Sequence, residues 1–219
     1  MKVVKLHIDI LNMTAGGKPV ISKSAVKQYV AWANQIYAQI GILFEIQGPI
    51  HIVNPPNGVN LNNGLEAIAG GLSNEEKALL SLAGAFRGVP ALRDGDDDIN
   101  VYYVNYMVRP NGKRSPFGTS FPAAVYNGPD DKYADSIICT DESADPSEVG
   151  GQTLAHEIGH ILLNSVEDDH VDGQVGINQV NLMASPGWQV NGSVTDSRRI
   201  TAQQAKAMLN NTKNLLRNP

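Results

Sequence analysis

The sequence predicts an α/β protein whose strands lie in one mixed sheet. Three observations carry this. Short apolar runs with strand-like alternation recur along the chain. Two long helical stripes with start and stop signals interrupt them. The resulting order is strand, helix, strand, insertion, strand, edge strand, strand, helix, which is the pattern of a sheet layered with helices. At 219 residues, 42% hydrophobic and 18% charged, the chain is long enough for one sizeable core without disulfides.

Leu6, Ile8 and Ile10 alternate with Lys5, His7 and Asp9, which predicts a first strand with one buried face. His7 falls on the polar face and reads as a solvated strand histidine. Ser22 or Ser24 opens a helix whose apolar stripe is Val26, Val30, Ala33, Tyr37 and Ile40. Gly41 stops it. Trp32 and Tyr37 on this helix read as core. Ile42 to Ile46 is the next strand, and Ile50-His51-Ile52-Val53 a third short apolar run ending at Pro55-Pro56. His51 reads as structural or exposed.

Residues 54 to 72 are rich in Asn, Gly and Pro and read as loop. Ser73-Asn74-Glu75-Glu76 is a capping box that predicts a short helix within this insertion. Ile99 to Val104 is the most strand-like stretch and is expected at the centre of the sheet. Gly118-Thr119-Ser120-Phe121-Pro122 suits an edge strand, where proline is tolerated. Ala134 to Thr140 is a further strand. Asp145 as N-cap, Pro146 at N1 and Glu148 at N3 then open a helix that runs to about Leu163, with Asn164-Ser165 as the stop.

Composition excludes several function classes. The net charge is −5 with no basic block, so no nucleic-acid partner is expected. No apolar run reaches the length of a membrane span. The single cysteine, Cys139, excludes an internal disulfide and reads as a small buried hydrophobe. The first residues lack the long apolar core and cleavage site of a signal peptide. The compartment stays open, a secreted or exported form included. Asp94-Gly95-Asp96-Asp97-Asp98 offers oxygens that suit Ca2+, yet Ile99 stands where the calcium-loop spacing wants glycine. A solvated acidic turn is the preferred reading. Trp188 reads as core by default.

The chemistry concentrates elsewhere. Three of the five histidines, His156, His160 and His170, fall within one 15-residue stretch. On a helix, positions 156 and 160 are separated by about 6 Å of rise and about 40° of rotation, so both imidazoles reach one point off one face. That arrangement suits Zn2+, with neutral imidazoles as ligands. Leu154, Ala155, Ile158, Ile161 and Leu162 surround the motif, and two imidazoles on so apolar a helix are costly without a partner. A catalytic zinc takes three protein ligands plus water, and a turn after Asn164 can return His170 to the metal. Glu167, Asp168 and Asp169 lie in the same loop and are the alternatives, ranked lower on ligand preference. Glu157 adjoins the metal without occupying a ligand position and can take a proton from an activated water. The reaction class that follows is hydrolysis of a peptide or other amide bond.

With these residues in place, the sequence resembles the metzincin zinc peptidases. Their pattern is His-Glu-x-x-His-x-x-Gly-x-x-His, followed by a methionine turn. The chain matches at His156, Glu157 and His160, and Asn181-Leu182-Met183-Ala184-Ser185-Pro186 resembles the methionine turn. It departs where the family has glycine (Leu163) and the third ligand (Val166), and His170 comes four residues late. The resemblance implies an α/β (α+β) fold with a twisted mixed sheet, an active-site helix, and a smaller irregular C-terminal lobe ending in a helix from Thr201 to about Leu216. It implies one catalytic domain over 1–219, with lobes 1–163 and 164–219. It also implies Met183 beneath the zinc and a substrate strand antiparallel to the edge near Gly118 to Phe121. The expected function is a monomeric zinc-dependent endopeptidase acting on protein or peptide, with Glu157 as general base and His156, His160 and His170 as ligands. The alternatives are a catalytically inactive zinc-containing binding module and a zinc amidase acting on a non-peptide amide.

Overall fold

A computed structural model describes residues 1–68, 71–82, 98–113, 117–126, 133–140, 149–165, 181–183 and 200–215. Strand β1 (Lys2–Leu11) organises the main sheet. On one side it pairs in parallel with β2 (Ile42–Ile46) and then, further along, with β3 (His51–Val53). On its other side lies β5 (Asp98–Val104), followed by β8 (Ser136–Thr140), both parallel. Strand β7 (Gly118–Phe121) closes the order β2-β1-β5-β8-β7 and is antiparallel to β8. A separate two-stranded ladder joins β4 (Leu65–Glu66) to β6 (Met107–Val108). The sheet is therefore mixed, with 99–104 central and 118–121 at the edge, as the sequence predicts.

Helix α1 (Lys23–Tyr37) is capped by Ser22, whose hydroxyl accepts the Ala25 N–H. Its stripe of Val26, Val30, Ala33 and Tyr37 is buried. A 3-10 turn at Ala38–Ile40 continues it, and Gly41 ends that turn with φ of 73°, a left-handed value glycine adopts without steric penalty. Helix α3 (Val149–Leu163) packs across α1. The contact is backbone-close: a methyl at Gly151 would lie 2.5 Å from Trp32 Cβ. The N-cap expected at Asp145 to Glu148 lies outside the described residues. Helix α4 (Ala202–Leu215) packs on α3 and is the final helix expected from Thr201.

These helices cover one sheet face, burying Leu6, Ile8, Ile10, Val101, Tyr103, Ile137 and Cys139. The opposite face is not simply polar. Leu11, Tyr102, Val104, Phe121 and Ile138 pack there beneath Leu61, Leu65, Leu79 and Leu80. The insertion read as loop thus supplies a second cover. Its anchor is the capping box of α2 (Asn74–Leu80), in which the Ser73 hydroxyl accepts the Glu76 N–H at 3.0 Å and Glu76 accepts the Ser73 N–H at 2.7 Å. Glu75 fastens α2 to β4 by accepting the Glu66 N–H at 2.7 Å.

This second cover changes the reading of His7 and leaves that of His51 as structural or exposed standing. His7 is half-buried and donates from Nε2 to Asp98, rather than standing free in solvent. His51 is partly exposed and bonds through Nδ1 to buried Asp9 at 3.2 Å. Central parallel strands are covered on both faces, so their polar residues need partners. Of the acidic run at 94–98, Asp98 alone is described. Among the described residues, no helix is long and apolar enough to cross a membrane.

Candidate active site

Helix α3 carries His156 and His160 about one turn apart, with Glu157 directly after the first, on a rigid support. Leu154, Ala155, Ile158, Ile161 and Leu162 on its other faces are buried. Each large aliphatic side chain among them contributes on the order of 1.5–3 kcal/mol of burial. Tyr37 of α1 donates its hydroxyl to the Ala155 carbonyl at 2.8 Å, beside the first histidine. Burial pushes that phenol well above its ordinary range, so it remains a donor.

The two imidazoles are held by backbone carbonyls. His156 Nδ1 donates to Leu182 O at 2.8 Å. His160 Nδ1 donates to Ser165 O at 3.0 Å. The second acceptor depends on the helix stop. Asn164 takes a left-handed φ of 57°, and the Ser165 N–H returns to His160 O at 3.1 Å. That turn brings the Ser165 carbonyl back over the ring. Asn164 Oδ1 also accepts the Ala124 N–H at 2.7 Å, tying the helix end to the turn after β7.

With a proton on each Nδ1, the neutral rings carry their lone pairs on Nε2. The two Nε2 atoms face each other at 3.1 Å. Two acceptors at that distance repel unless a cation or a proton joins them. The ideal nitrogen–nitrogen edge of a tetrahedral zinc site with ligand distances of about 2.0–2.1 Å is about 3.3–3.4 Å. The donor type, tautomer and spacing fit a divalent metal. Among the described residues no group of three metal-binding side chains assembles. His170, Glu167, Asp168 and Asp169 all lie outside the described residues, as does Val166.

Glu157 is buried against the edge strand. The Ser120 hydroxyl on β7 donates to Glu157 Oε2 at 2.8 Å. Gly118 leaves the space in which the carboxylate sits: a methyl there would lie 2.7 Å from Cγ and 2.8 Å from Oε1. Both residues belong to the edge strand expected to receive substrate, but the sequence does not reveal their contacts with Glu157. A hydroxyl and a glycine two positions apart on an edge strand carry no signal until the helix is laid across them. Cys139, on β8 beside this strand, is buried, and burial pushes its thiol well above the ordinary range, with the Glu157 carboxylate adding to the rise. It is a packing residue.

Met183 is buried beneath the helix. A methyl at Gly159 would lie 2.2 Å from its sulfur. The Met183 N–H is held by Asn181 Oδ1 at 2.8 Å. Residues 184–186 of the expected methionine turn lie outside the described residues, as does Trp188.

No family model matches the chain, and no curated protein sequence does. Solved structures do match. Metalloproteinase-II from Bacteroides fragilis aligns with a TM-score of 0.51 and 16% identity, covering 96% of this chain and 56% of that one. A zinc-dependent peptidase from Methanocorpusculum labreanum aligns with a TM-score of 0.52 and 14% identity, covering 93% of this chain and 99% of that one. The chain therefore spans little more than half the length of the first and nearly all of the second. At these identities the likeness is one of fold: the mixed α/β architecture of this chain, with its mostly parallel sheet, is similar to that of these two proteins.

Proposed function

We propose that this chain is a zinc-dependent endopeptidase of the metzincin type, a single catalytic domain whose N-terminal lobe is 1–163 and whose C-terminal lobe is 164–219. The observation that carries the reading is the pair of Nε2 atoms facing each other at 3.1 Å on the helix that also carries Glu157. The fold likeness to a metalloproteinase and to a zinc-dependent peptidase supports it.

His156 and His160 would hold the metal, with His170 as third ligand and Glu167, Asp168 or Asp169 as the alternatives. Met183 would lie beneath it. When bound, zinc polarises a carbonyl and brings the pKa of a water down to about 7. Glu157 takes a proton from the attacking water and returns it to the leaving amine. Ser120 holds Oε2, and Oε1 lies over Gly118 of the same strand. The outer edge of β7, last in the sheet among the described residues, receives an extended peptide through backbone hydrogen bonds, in antiparallel register. Within the helix, Leu163 is still helical and the left-handed turn falls on Asn164. A stop one residue past the family glycine position agrees with a third ligand later than Val166.

The test is incubation of the zinc-loaded protein with a diverse peptide library, with and without a chelator. Cleavage internal to peptides, abolished by chelator and by Glu157→Ala while zinc content is unchanged, is the expected result. No cleavage of any peptide would favour a zinc-containing binding module. Turnover surviving in Glu157→Ala would remove that residue from the mechanism.

A further inference from the structure

We propose that the paired side-chain amides of Asn181 and Gln204 position His156 as a metal ligand, by gripping the peptide unit to which its ring is bonded. The inference rests on the metal-site reading above. Leu182 O and Met183 N–H belong to one peptide group. Its carbonyl accepts His156 Nδ1–H at 2.8 Å, and its N–H donates to Asn181 Oδ1 at 2.8 Å. Because the peptide is planar and trans, holding the N–H fixes the direction of the carbonyl. Donation from the N–H also polarises the carbonyl as an acceptor.

Asn181 is itself held. Its Nδ2 donates to Gln204 Oε1 at 2.9 Å, and Gln204 Nε2 donates back to Asn181 Oδ1 at 3.2 Å. Neither amide can be reversed without loss. Asn181 Oδ1 faces the Met183 N–H, and Gln204 Oε1 accepts the Thr201 N–H at 3.0 Å. Both side chains are buried, Asn181 fully. Gln204 also completes a capping box at the start of α4, where the Thr201 hydroxyl accepts the Gln204 N–H at 3.1 Å. The first turn of the last helix is thereby wired through Gln204, Asn181 and the Leu182–Met183 peptide to the ring of His156. A helix cap needs only Thr201 and Gln204. The reciprocal amide pair and the bonded peptide serve the histidine.

The experiment compares Gln204→Met, which keeps volume and removes the amide, with Thr201→Ala, which removes the cap hydroxyl and leaves the amide pair. Zinc affinity is read by chelator competition. The tautomer of His156 is read in the metal-free protein from its ring-nitrogen NMR signals. Thr201→Ala should lower Tm with zinc affinity and ring signals unchanged. Gln204→Met should weaken zinc binding about tenfold, within the range for lost outer-shell partners, and should deplete the Nδ1-protonated form. Wild-type zinc affinity and ring signals in Gln204→Met would overturn the proposal. If Gln204→Met does not fold, Gln204→Glu is read in its place. It keeps acceptance of the Thr201 N–H and sets a carboxylate oxygen, which accepts and does not donate, against Asn181 Oδ1, and the same shift is expected. Zinc binding that His156→Ala leaves unweakened would instead sink the metal-site reading. The ring signals of the metal-free variants would then still decide the positioning role.

Discussion

Replacing Gly159 by alanine sets two effects of known size against each other. Within a helix, glycine to alanine gains about 0.5–1 kcal/mol from backbone entropy. Here the new methyl would lie 2.2 Å from Met183 Sδ and 3.2 Å from the Tyr37 hydroxyl oxygen. An ordinary carbon–sulfur contact is roughly 3.5–4 Å, so the sulfur must retreat by more than about 1 Å. It has little room. Met183 is 1% exposed, its N–H is bonded to Asn181, and Tyr37 is bonded to Ala155 on the other side. Overpacking of this kind costs about 1–3 kcal/mol, and the constraint on both neighbours places this site toward the upper end. The net expectation is a loss of about 2 kcal/mol. For a chain of this size that lowers Tm by roughly 4–8 °C. The assay is thermal and urea unfolding of the metal-free protein, since bound metal would add its own stabilisation. Met183→Ala alone should cost about 2–5 kcal/mol by leaving a cavity. Combined with Gly159→Ala it should cost less than the sum, because the methyl enters vacated space. A Gly159→Ala protein as stable as wild type, or more so, would refute the close packing of Met183 on the helix.

Other outcomes follow from the same geometry. Gly118→Ala should displace the Glu157 carboxylate by up to about 1 Å and lower kcat/KM about a hundredfold, the scale for a misplacement of that size. Zinc content should not change, and a variant within threefold of wild type would mean the carboxylate acts from elsewhere. His170→Ala should lower zinc content sharply by metal analysis, whereas unchanged occupancy would assign the third position to a carboxylate among 167–169. Cys139 has a raised thiol pKa from burial, so the folded state holds its proton more tightly than the unfolded chain. The resulting stability is complete below the unfolded thiol value of about 8.5 and is lost as pH rises above it, at up to about 1.4 kcal/mol per pH unit. Unfolding free energy from pH 8 to 9.5 should fall less steeply in Cys139→Ala, and parallel curves would contradict the assignment.

Much of the fold can be read along the chain because its signals are local. Alternation in 5–10 and 99–104, the Ser22 cap, Gly41 and the Ser73–Glu76 box each act within a few residues. The meeting of His156 and His160 is equally local, a consequence of helical pitch alone. The second cover over the sheet was not legible, because residues 54–82 have turn-rich composition and gain their order from packing on Tyr102, Val104 and Ile138. For the same reason the sequence does not reveal the bond from His7 to Asp98: strand periodicity reports one buried face and is silent on what covers the other.

The amino-acid order by itself determined that two imidazoles would share one helix face with a carboxylate between them in sequence, because a covalent chain coiling at 3.6 residues per turn leaves no alternative. Tertiary structure alone decided what holds each ring and how the carboxylate is aimed. Leu182, Ser120, Gly118 and the Asn181–Gln204 pair lie 25 to 48 residues from the groups they serve. Contacts across such distances have no sequence period. They exist only once the helix, the edge strand and the final helix are packed together, since a hydrogen bond reaches only about 3 Å.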